Sequence, residues 1–206
     1  AALESGSYAA NARINTSPGL FQVGVHTIRD MHDYGTLDLT GVIRKSSNVG
    51  ISKIALSLSA GDIWSLLSRL GFGTPTGSGF PGESAGLLVG YRNWNEIETA
   101  TLSFGYGMSA TPLQLAQAYA VLASGGILRP ATFLRQEAAP AGERILPQRV
   151  AQQVNTMLEE VTGPQGTALT ARVAGYRVGG KTGTVRKSIA GGYAEDKYLA
   201  VFAGMA

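Results

Sequence analysis

The stretch Lys181-Thr182-Gly183-Thr184 decides our interpretation of the chain. It lies in a run from Tyr176 to Lys187 that has the residue types of a β-strand and no helical periodicity. On a strand, the lysine ammonium supplies positive charge without a metal, and the threonine hydroxyls donate to an anionic group. Gly183 has no side chain, so a second peptide backbone can lie against the strand edge. The stretch therefore predicts a binding site for an anionic peptide.

A second polar motif, Ser46-Ser47-Asn48, precedes a clearly helical pattern. Serine and asparagine favour the residue before a helix, and apolar residues then recur from Ile51 to Leu58 at the spacing of one helix face. The middle residue, Ser47, is predicted to cap this helix and to face away from any site. Ser46 and Asn48 are the candidates for joint action with Lys181, which follows a long helical segment.

The composition indicates a folded domain of ordinary size. The chain has 206 residues, of which 44% are hydrophobic and 15% charged, so it can bury a core and lacks the composition of a disordered protein. Its net charge of +3 is small and scattered, which argues against nucleic-acid binding. The absence of cysteine excludes disulfides and thiolate metal ligands. No apolar run has the length of a membrane span.

Two other patterns suggest a cofactor or a metal, and both fail in context. Gly105-x-Gly107 precedes a helix, as a dinucleotide-binding motif does, but no βαβ unit surrounds it and no acidic residue follows where a ribose ligand belongs. We interpret it as a tight turn. His26 and His32 lie near two aspartates, but a zinc site needs a third ligand and a rigid scaffold. Solvated or structurally bonded histidines are the simpler interpretation.

The periodicity predicts helices first and strands last. We predict irregular structure over residues 7–36, loops over residues 71–90, and β-strands from Val173 onward, joined by a polar tip from Ser188 to Asp196. Residues 37–170 then form the mainly helical part and residues 173–206 the strands of a central sheet, within a single partial domain spanning residues 1–206. The helices are predicted over residues 37–45, 51–58, 63–70, 97–103, 113–124 and 147–161.

Taken together, these motifs resemble class B penicillin-binding proteins, the monofunctional peptidoglycan D,D-transpeptidases. The resemblance covers nearly the whole chain and rests on Ser46-Ser47-Asn48-Val49-Gly50, Ser103-Phe104-Gly105-Tyr106-Gly107, Thr111-Pro112-Leu113-Gln114-Leu115-Ala116 and Lys181-Thr182-Gly183-Thr184. The run from Tyr176 to Lys187, with Gly192-Tyr193 and Lys197-Tyr198, is most similar to the septal cell-division type. The resemblance implies an α/β (α+β) fold like that of penicillin-binding proteins and serine β-lactamases. That fold has an antiparallel sheet, helices on both faces of the sheet and an all-helical subdomain.

The resemblance also implies a catalytic role for three motif residues. Ser46 would relay a proton towards the leaving amine, and Asn48 would hold the substrate amide. Lys181 would supply positive charge and hydrogen bonding beside Ser46. Chemistry of this kind needs no metal and no cofactor.

The implied ligand is a peptidoglycan stem peptide that ends in D-Ala-D-Ala. The hydroxyls of Thr182 and Thr184 would hold its terminal carboxylate, and the strand edge at Gly183 would pair with its backbone. β-Lactams mimic this peptide and are the expected inhibitors. Membrane proteins of the divisome are expected partners, and nucleic acid is not. The expected location is the periplasm, on an anchor in the bacterial inner membrane that lies outside this chain.

Such enzymes attack with the serine of a Ser-x-x-Lys motif, and no serine in this chain has a lysine three residues later. We expect the nucleophile just upstream of Ala1, because Ala1 to Gly6 has the pattern of a helix end stopped by glycine. Tyr198 to Met205 has the pattern of a buried strand, and further β-structure is expected after it. The domain is thus expected to be incomplete at both ends.

Two alternatives stay open at the level of sequence. A serine β-lactamase or a D,D-carboxypeptidase shares the Ser-x-Asn and Lys-Thr-Gly motifs, and the rate of deacylation of penicillin would distinguish them. A β-lactam-sensing receptor domain binds the drug covalently without turnover. The helix start Thr111-Pro112-Leu113-Gln114-Leu115-Ala116 favours the class B transpeptidase over both.

Overall fold

The computed structural model describes residues 1–189 and 192–206, and within them the chain forms a mixed α/β fold. The helices are α1 (Leu39–Lys45), α2 (Asn48–Leu56), α3 (Ala60–Arg69), α4 (Glu96–Leu102), α5 (Pro112–Ala123) and α6 (Gln148–Glu159). The strands are β1 (Ile14–Asn15), β2 (Leu20–Val23), β3 (His26–Arg29), β4 (Thr36–Leu37), β5 (Leu87–Leu88), β6 (Met108–Ser109), β7 (Ile127–Leu128), β8 (Glu143–Arg144), β9 (Gly179–Ile189) and β10 (Gly192–Met205). They form antiparallel pairs: β1–β4, β2–β3, β5–β6, β7–β8 and β9–β10.

The predicted helices are confirmed, with small shifts at their ends that the capping residues explain. α1 begins at Leu39 because Asp38 caps it, accepting a hydrogen bond from the N–H of Gly41 at 2.6 Å. α2 begins at Asn48 because Ser47 occupies the capping position. The loop predicted over residues 71–90 is interrupted by β5, which pairs with β6, and by a 3₁₀ turn that begins at Tyr91.

Three small hydrophobic cores hold the helical part together. The first contains Val42 of α1, Ile54 of α2 and Met157 of α6, so these three helices share one core. The second contains Val49 and Ala100 and joins α2 to α4 and to the β2–β3 hairpin. The third lies between α5 and the segment that precedes α6. Together the first two cores fix the junction between α1 and α2, which carries the Ser-Ser-Asn motif.

Gln114 connects α5 to the glycine-rich loop. The predicted helix start is confirmed, since the side chains of Thr111 and Gln114 each accept a hydrogen bond from the other's backbone N–H. The side-chain Nε2 of Gln114 donates to the carbonyls of Gly71 at 3.2 Å, Thr74 at 2.8 Å and Ala85 at 2.9 Å. The Gln114 side chain is fully buried. One amide therefore holds the loop against the start of α5.

The β9–β10 hairpin carries Lys181-Thr182-Gly183-Thr184, with α6 against β9 and α5 against β10. The prediction that strand structure starts at Val173 is wrong. Residues 173–178 contain no strand, and residues 174–175 form a turn closed by the N–H of Tyr176, which donates to the carbonyl of Val173 at 3.2 Å. This local bond uses backbone groups that a strand ladder needs, so β9 begins only at Gly179.

The predicted polar tip of the hairpin is also wrong over most of its length. Residues 188–189 belong to β9 and residues 192–196 to β10, while positions 190 and 191 of the predicted tip lie outside the described residues. The register shifts between Tyr193 and Tyr198. A shift of this kind lets a strand accommodate extra residues without ending.

Two further details differ from the sequence analysis. Residues 1–5 form a single hydrogen-bonded turn before Gly6, where regular helix was expected. The strand from Tyr198 to Met205 forms as predicted but is not buried, since Leu199 is 57% exposed. Among the described residues, every helix is too short or too polar to span a lipid bilayer.

We expect Gln114→Leu, in the full-length protein that contains this chain, to lower the free energy of unfolding by about 2–4 kcal/mol. Leucine fills the buried space but leaves the carbonyls of Gly71, Thr74 and Ala85 without this donor. Equilibrium unfolding in urea measures the change.

Gln117→Leu is the matched control for this change. Gln117 lies on the same helix and donates an exposed hydrogen bond to the carbonyl of Arg129 at 3.1 Å. Its replacement should cost less than about 1 kcal/mol. Equal losses in the two variants would contradict the anchoring role of Gln114.

Candidate active site

A cavity of about 450 Å³ lies where the junction between α1 and α2 faces β9. The segment after α4 forms a third wall, and single side chains from α5 and α6 contribute to the lining. The structure brings all the predicted site residues to this cavity: Ser46, Asn48, Lys181, Thr182, Gly183 and Thr184.

Ser46 ends α1 in the left-handed conformation, with φ 54° and ψ 45°. Among the residues that the structure describes, it is the one non-glycine residue with positive φ. This conformation costs a residue with a side chain roughly 1–2 kcal/mol, so neighbouring groups must stabilise it. The N–H of Ser46 donates to the carbonyl of Ile43 at 3.2 Å, and the N–H of Ser47 donates to that of Val42 at 3.0 Å. The chain thus turns sharply at Ser46.

Asp30, just after β3, fixes the other side of this turn. Its carboxylate accepts hydrogen bonds from Oγ of Ser47 at 2.5 Å and from the N–H of Val49 at 3.0 Å. The side chain of Asn48 donates to the carbonyl of Arg29 at 3.2 Å. Ser47 is buried and caps α2, as predicted. No local sequence pattern marks Asp30, because its partners lie 17 and 19 residues further along the chain.

Lys181 connects the two motifs. Its ammonium donates to Oγ of Ser46 at 2.9 Å and to the carbonyl of Thr182 at 2.9 Å. Burial lowers the pKa of Lys181 below its ordinary value, because the cavity wall replaces water around the ammonium. No Asp or Glu is among the described residues that line the cavity, and Lys181 is their one charged side chain. The lining therefore favours an anionic ligand.

The strand edge beside the threonines is open. Thr182 and Thr184 are two residues apart on β9, so the alternation of a strand places them on the same face. Gly183 pairs with Val201 of β10 on one edge. Within the described part of the chain, no strand pairs with the other edge of β9. Backbone groups on that edge are available to an extended peptide.

Several lining or neighbouring residues have no role in the sequence analysis. Oγ1 of Thr167 lies 2.9 Å from Oγ1 of Thr182. Phe104 and Tyr106 make an edge-to-face contact with ring centroids 5.7 Å apart, and they line the cavity together with Tyr119. Burial raises the pKa of Tyr119 to about 12, so its phenol stays neutral at physiological pH. Phe104 and Tyr106 belong to a recognised motif, but nothing in sequence shows which wall they form.

The two patterns set aside in the sequence analysis have structural explanations. Gly105 and Gly107 both adopt positive φ, at 101° and 79°, in the predicted tight turn between α4 and β6. His32 makes an edge-to-face contact with Tyr34, with ring centroids 6.0 Å apart. Over residues 1–189 and 192–206 there is no group of three or more His, Cys, Asp or Glu side chains that could hold a metal ion.

Comparison with known proteins identifies the family. The family described as penicillin binding protein transpeptidase domain matches residues 1–206, which is the whole chain. The chain therefore belongs to the penicillin-binding protein transpeptidase family. The fold and the class B resemblance predicted from the sequence are confirmed.

Individual relatives agree with the family assignment. The chain is 44% identical over 205 residues to the probable peptidoglycan D,D-transpeptidase PenA of Neisseria meningitidis serogroup A and 42% identical over 205 residues to the peptidoglycan D,D-transpeptidase FtsI of Escherichia coli K12. These alignments cover 100% of this chain but 35% and 34% of the relatives, so the chain spans about a third of their length. A solved apo structure of the TP domain of penicillin-binding protein 3 from Burkholderia pseudomallei superposes with a TM-score of 0.95 at 42% identity. The superposition covers 100% of this chain and 62% of the Burkholderia pseudomallei chain.

The burial of Lys181 makes stability depend on pH. The folded-state pKa lies below the ordinary value of 10.5, so the native protein releases this proton first as the pH rises. Between the lowered pKa and 10.5 the unfolded state binds more protons, and the stability contributed by this site rises with pH. We expect urea unfolding of the full-length protein, measured at rising pH below 10.5, to show this rise relative to Lys181→Met. A difference between the two proteins that stays constant over the window would mean an ordinary pKa for Lys181.

Proposed function

We propose that this chain is part of the transpeptidase domain of a peptidoglycan D,D-transpeptidase that cross-links stem peptides through a serine acyl-enzyme. The observation that carries the proposal is the 2.9 Å contact between Nζ of Lys181 and Oγ of Ser46 in the wall of the cavity. A cation, a hydroxyl that can relay a proton and hydroxyl donors beside an open strand edge suit acyl transfer at the amide carbonyl of a peptide that ends in a carboxylate. The relatives PenA and FtsI are both named peptidoglycan D,D-transpeptidases.

We place the nucleophile outside residues 1–206, because these residues contain no Ser-x-x-Lys. In the proposed domain, residues 37–170 supply Ser46 and Asn48, and residues 173–206 supply the Lys-Thr-Gly strand. The 38% of the solved Burkholderia pseudomallei TP domain that has no counterpart here leaves room for a further segment.

In the proposed first step, the nucleophilic serine attacks the carbonyl carbon of the D-Ala-D-Ala bond. The lysine of the expected Ser-x-x-Lys motif takes the proton of the serine hydroxyl as the C–O bond forms. The C–N bond then breaks, the terminal D-Ala leaves as an amine that receives a proton through Ser46, and the acyl group stays on the serine. Because Lys181 donates to the oxygen of Ser46, the hydrogen of the Ser46 hydroxyl is free to point at the leaving nitrogen. Asn48 orients the substrate amide, and a backbone N–H near Thr184 is one donor to the oxyanion. In the second step, the amine of another stem peptide attacks the ester and frees the serine.

Recognition of the substrate falls to β9. The hydroxyls of Thr182 and Thr184 hold the terminal carboxylate by charge-assisted hydrogen bonds. The backbone at Gly183 pairs with the peptide along the edge of β9 that no described strand occupies. β-Lactams enter the same site as mimics of D-Ala-D-Ala and acylate the same serine.

The proposed biological setting is septal cell-wall synthesis. It is supported by the likeness of residues 176–187 to the septal type and by the identity of 42% with FtsI of Escherichia coli K12. The domain would lie in the periplasm of a bacterium, on an inner-membrane anchor outside this chain, with divisome membrane proteins as partners.

Covalent labelling tests the proposed function. The full-length protein should form a stable adduct with a fluorescent penicillin, visible after denaturing electrophoresis. Lys181→Ala should lower the second-order rate of adduct formation by about 100-fold, because Ser46 loses the ammonium that orients its hydroxyl. The control Lys187→Ala removes an exposed lysine of the same strand and should leave the rate within about twofold of wild type.

Three results would count against the proposal. A near-normal rate in a folded Lys181→Ala variant would remove Lys181 from the site. Mapping of the adduct to a serine within residues 1–206 would contradict the placement of the nucleophile. Rapid release of the label would indicate a β-lactamase instead of a transpeptidase.

Thr184→Val separates recognition from strand structure. Valine keeps the β-branched shape and loses the hydroxyl, so acylation by penicillin should slow by roughly 10- to 100-fold if that hydroxyl binds the carboxylate. The loss should nearly disappear for a β-lactam that lacks the carboxylate. Equal losses for the two compounds would mean that Thr184 only supports the strand.

A further inference from the structure

A hydroxyl from outside the recognised motifs lies against the substrate-binding strand. Oγ1 of Thr167 is 2.9 Å from Oγ1 of Thr182, and either atom can be the donor. In the described part of the chain, Thr182 has no other hydrogen-bond partner for its hydroxyl. Thr167 lies in the connection between α6 and β9. We call the part of this connection that spans residues 163–168 the 163–168 segment.

We propose that Thr167 is a positioning residue for carboxylate recognition, which donates its hydrogen to Thr182 and so directs the hydrogen of Thr182 at the substrate. The inference rests on the proposed function. A threonine hydroxyl has one hydrogen and two lone pairs. If Thr182 donated to Thr167, it would present only lone pairs to the carboxylate, and the two groups would repel each other.

With Thr167 as the donor, both hydrogen bonds run in the same direction, from Thr167 to Thr182 and from Thr182 to the carboxylate. Each bond polarises the next, so the second bond is stronger than it would be alone. Thr167 thus favours the one orientation of the Thr182 hydroxyl that binds an anion.

The 163–168 segment is firmly held in place. The N–H of Ala168 donates to the carbonyl of Val161 at 2.9 Å, and Ala168 is buried. Gly166 lies so close to the end of α6 that a Cβ atom there would sit 1.9 Å from the carbonyl oxygen of Val161. No side chain fits at that distance, so the backbone of the segment has a defined path and Thr167 a defined position.

The same segment also contacts the other half of the site. Nζ of Lys45 donates to the carbonyl of Gln165 at 3.2 Å, and Lys45 directly precedes Ser46. The segment therefore touches the end of α1 through Gln165 and β9 through Thr167. Thr167 is exposed, so in its absence a water molecule can donate a hydrogen bond to Thr182. Removal of the Thr167 hydroxyl should therefore slow acylation less than removal of the Thr182 hydroxyl.

The test measures second-order acylation rates of the full-length protein with penicillin and with a β-lactam that lacks the carboxylate. Thr167→Val should slow acylation by penicillin about fivefold, and Thr167→Ser should stay within about twofold of wild type. Neither change should affect the carboxylate-free compound. Thr170→Val is the control, since Thr170 is an exposed threonine three residues further on, with no side-chain hydrogen bond among the described residues.

A double variant tests whether Thr167 acts through Thr182. In a Thr182→Val background, Thr167→Val should cause no further loss. Independent, multiplying losses would show that Thr167 binds the substrate itself and would overturn the positioning role, as would equal losses with both compounds. Normal acylation of wild type and of Thr167→Val would overturn this inference alone. A wild type that is never acylated would overturn the proposed function and this inference with it.

Discussion

The contact between the ammonium of Lys181 and the hydroxyl of Ser46 is the interaction on which the site depends. The two residues are 135 positions apart, so the fold has to bring them together. It does so through α6, which packs against α1 on one side and β9 on the other. No carboxylate in the described lining offsets the half-buried ammonium, and burial disfavours its charge. The packing of α6 must therefore supply the stability that the contact itself does not.

The second constraint is the left-handed turn at Ser46. The backbone there is unfavourable for a residue with a side chain, and such strain persists only where the surroundings over-determine it. Asp30, which follows the β2–β3 hairpin, holds this backbone in place because its carboxylate accepts hydrogen bonds from Ser47 and Val49. Asp30 fixes the first turn of α2, and the first hydrophobic core fixes α1. The chain between the two helices therefore has one path. The Ser46 hydroxyl is presented to β9 along that path.

Features that arise from local chemistry could be predicted from the sequence, and those that arise from distant contacts could not. The caps at Ser47 and Thr111 were predictable, because a side chain there bonds a backbone N–H three residues on. The partners of Asp30 and Thr167 lie on other segments, so no sequence pattern marks these residues. The polar run after Ser188 has the composition of a loop although most of it is strand, because an exposed hairpin tolerates polar residues that a buried sheet excludes.

The proposed substrate would act against the lowering of the Lys181 pKa. In the free protein, burial weakens the preference of Lys181 for its charged form. A bound carboxylate brings a negative charge towards that ammonium and favours the charged form again. Substrate binding would thus fix Lys181 as a donor to Ser46, which in turn leaves the Ser46 hydrogen free for the leaving amine. In this proposal the threonine hydroxyls would hold the carboxylate, and Lys181 is the one charged side chain among the described residues that line the cavity. In this proposal the Lys181 side chain couples binding of the peptide carboxylate to the orientation of the Ser46 hydroxyl for proton transfer.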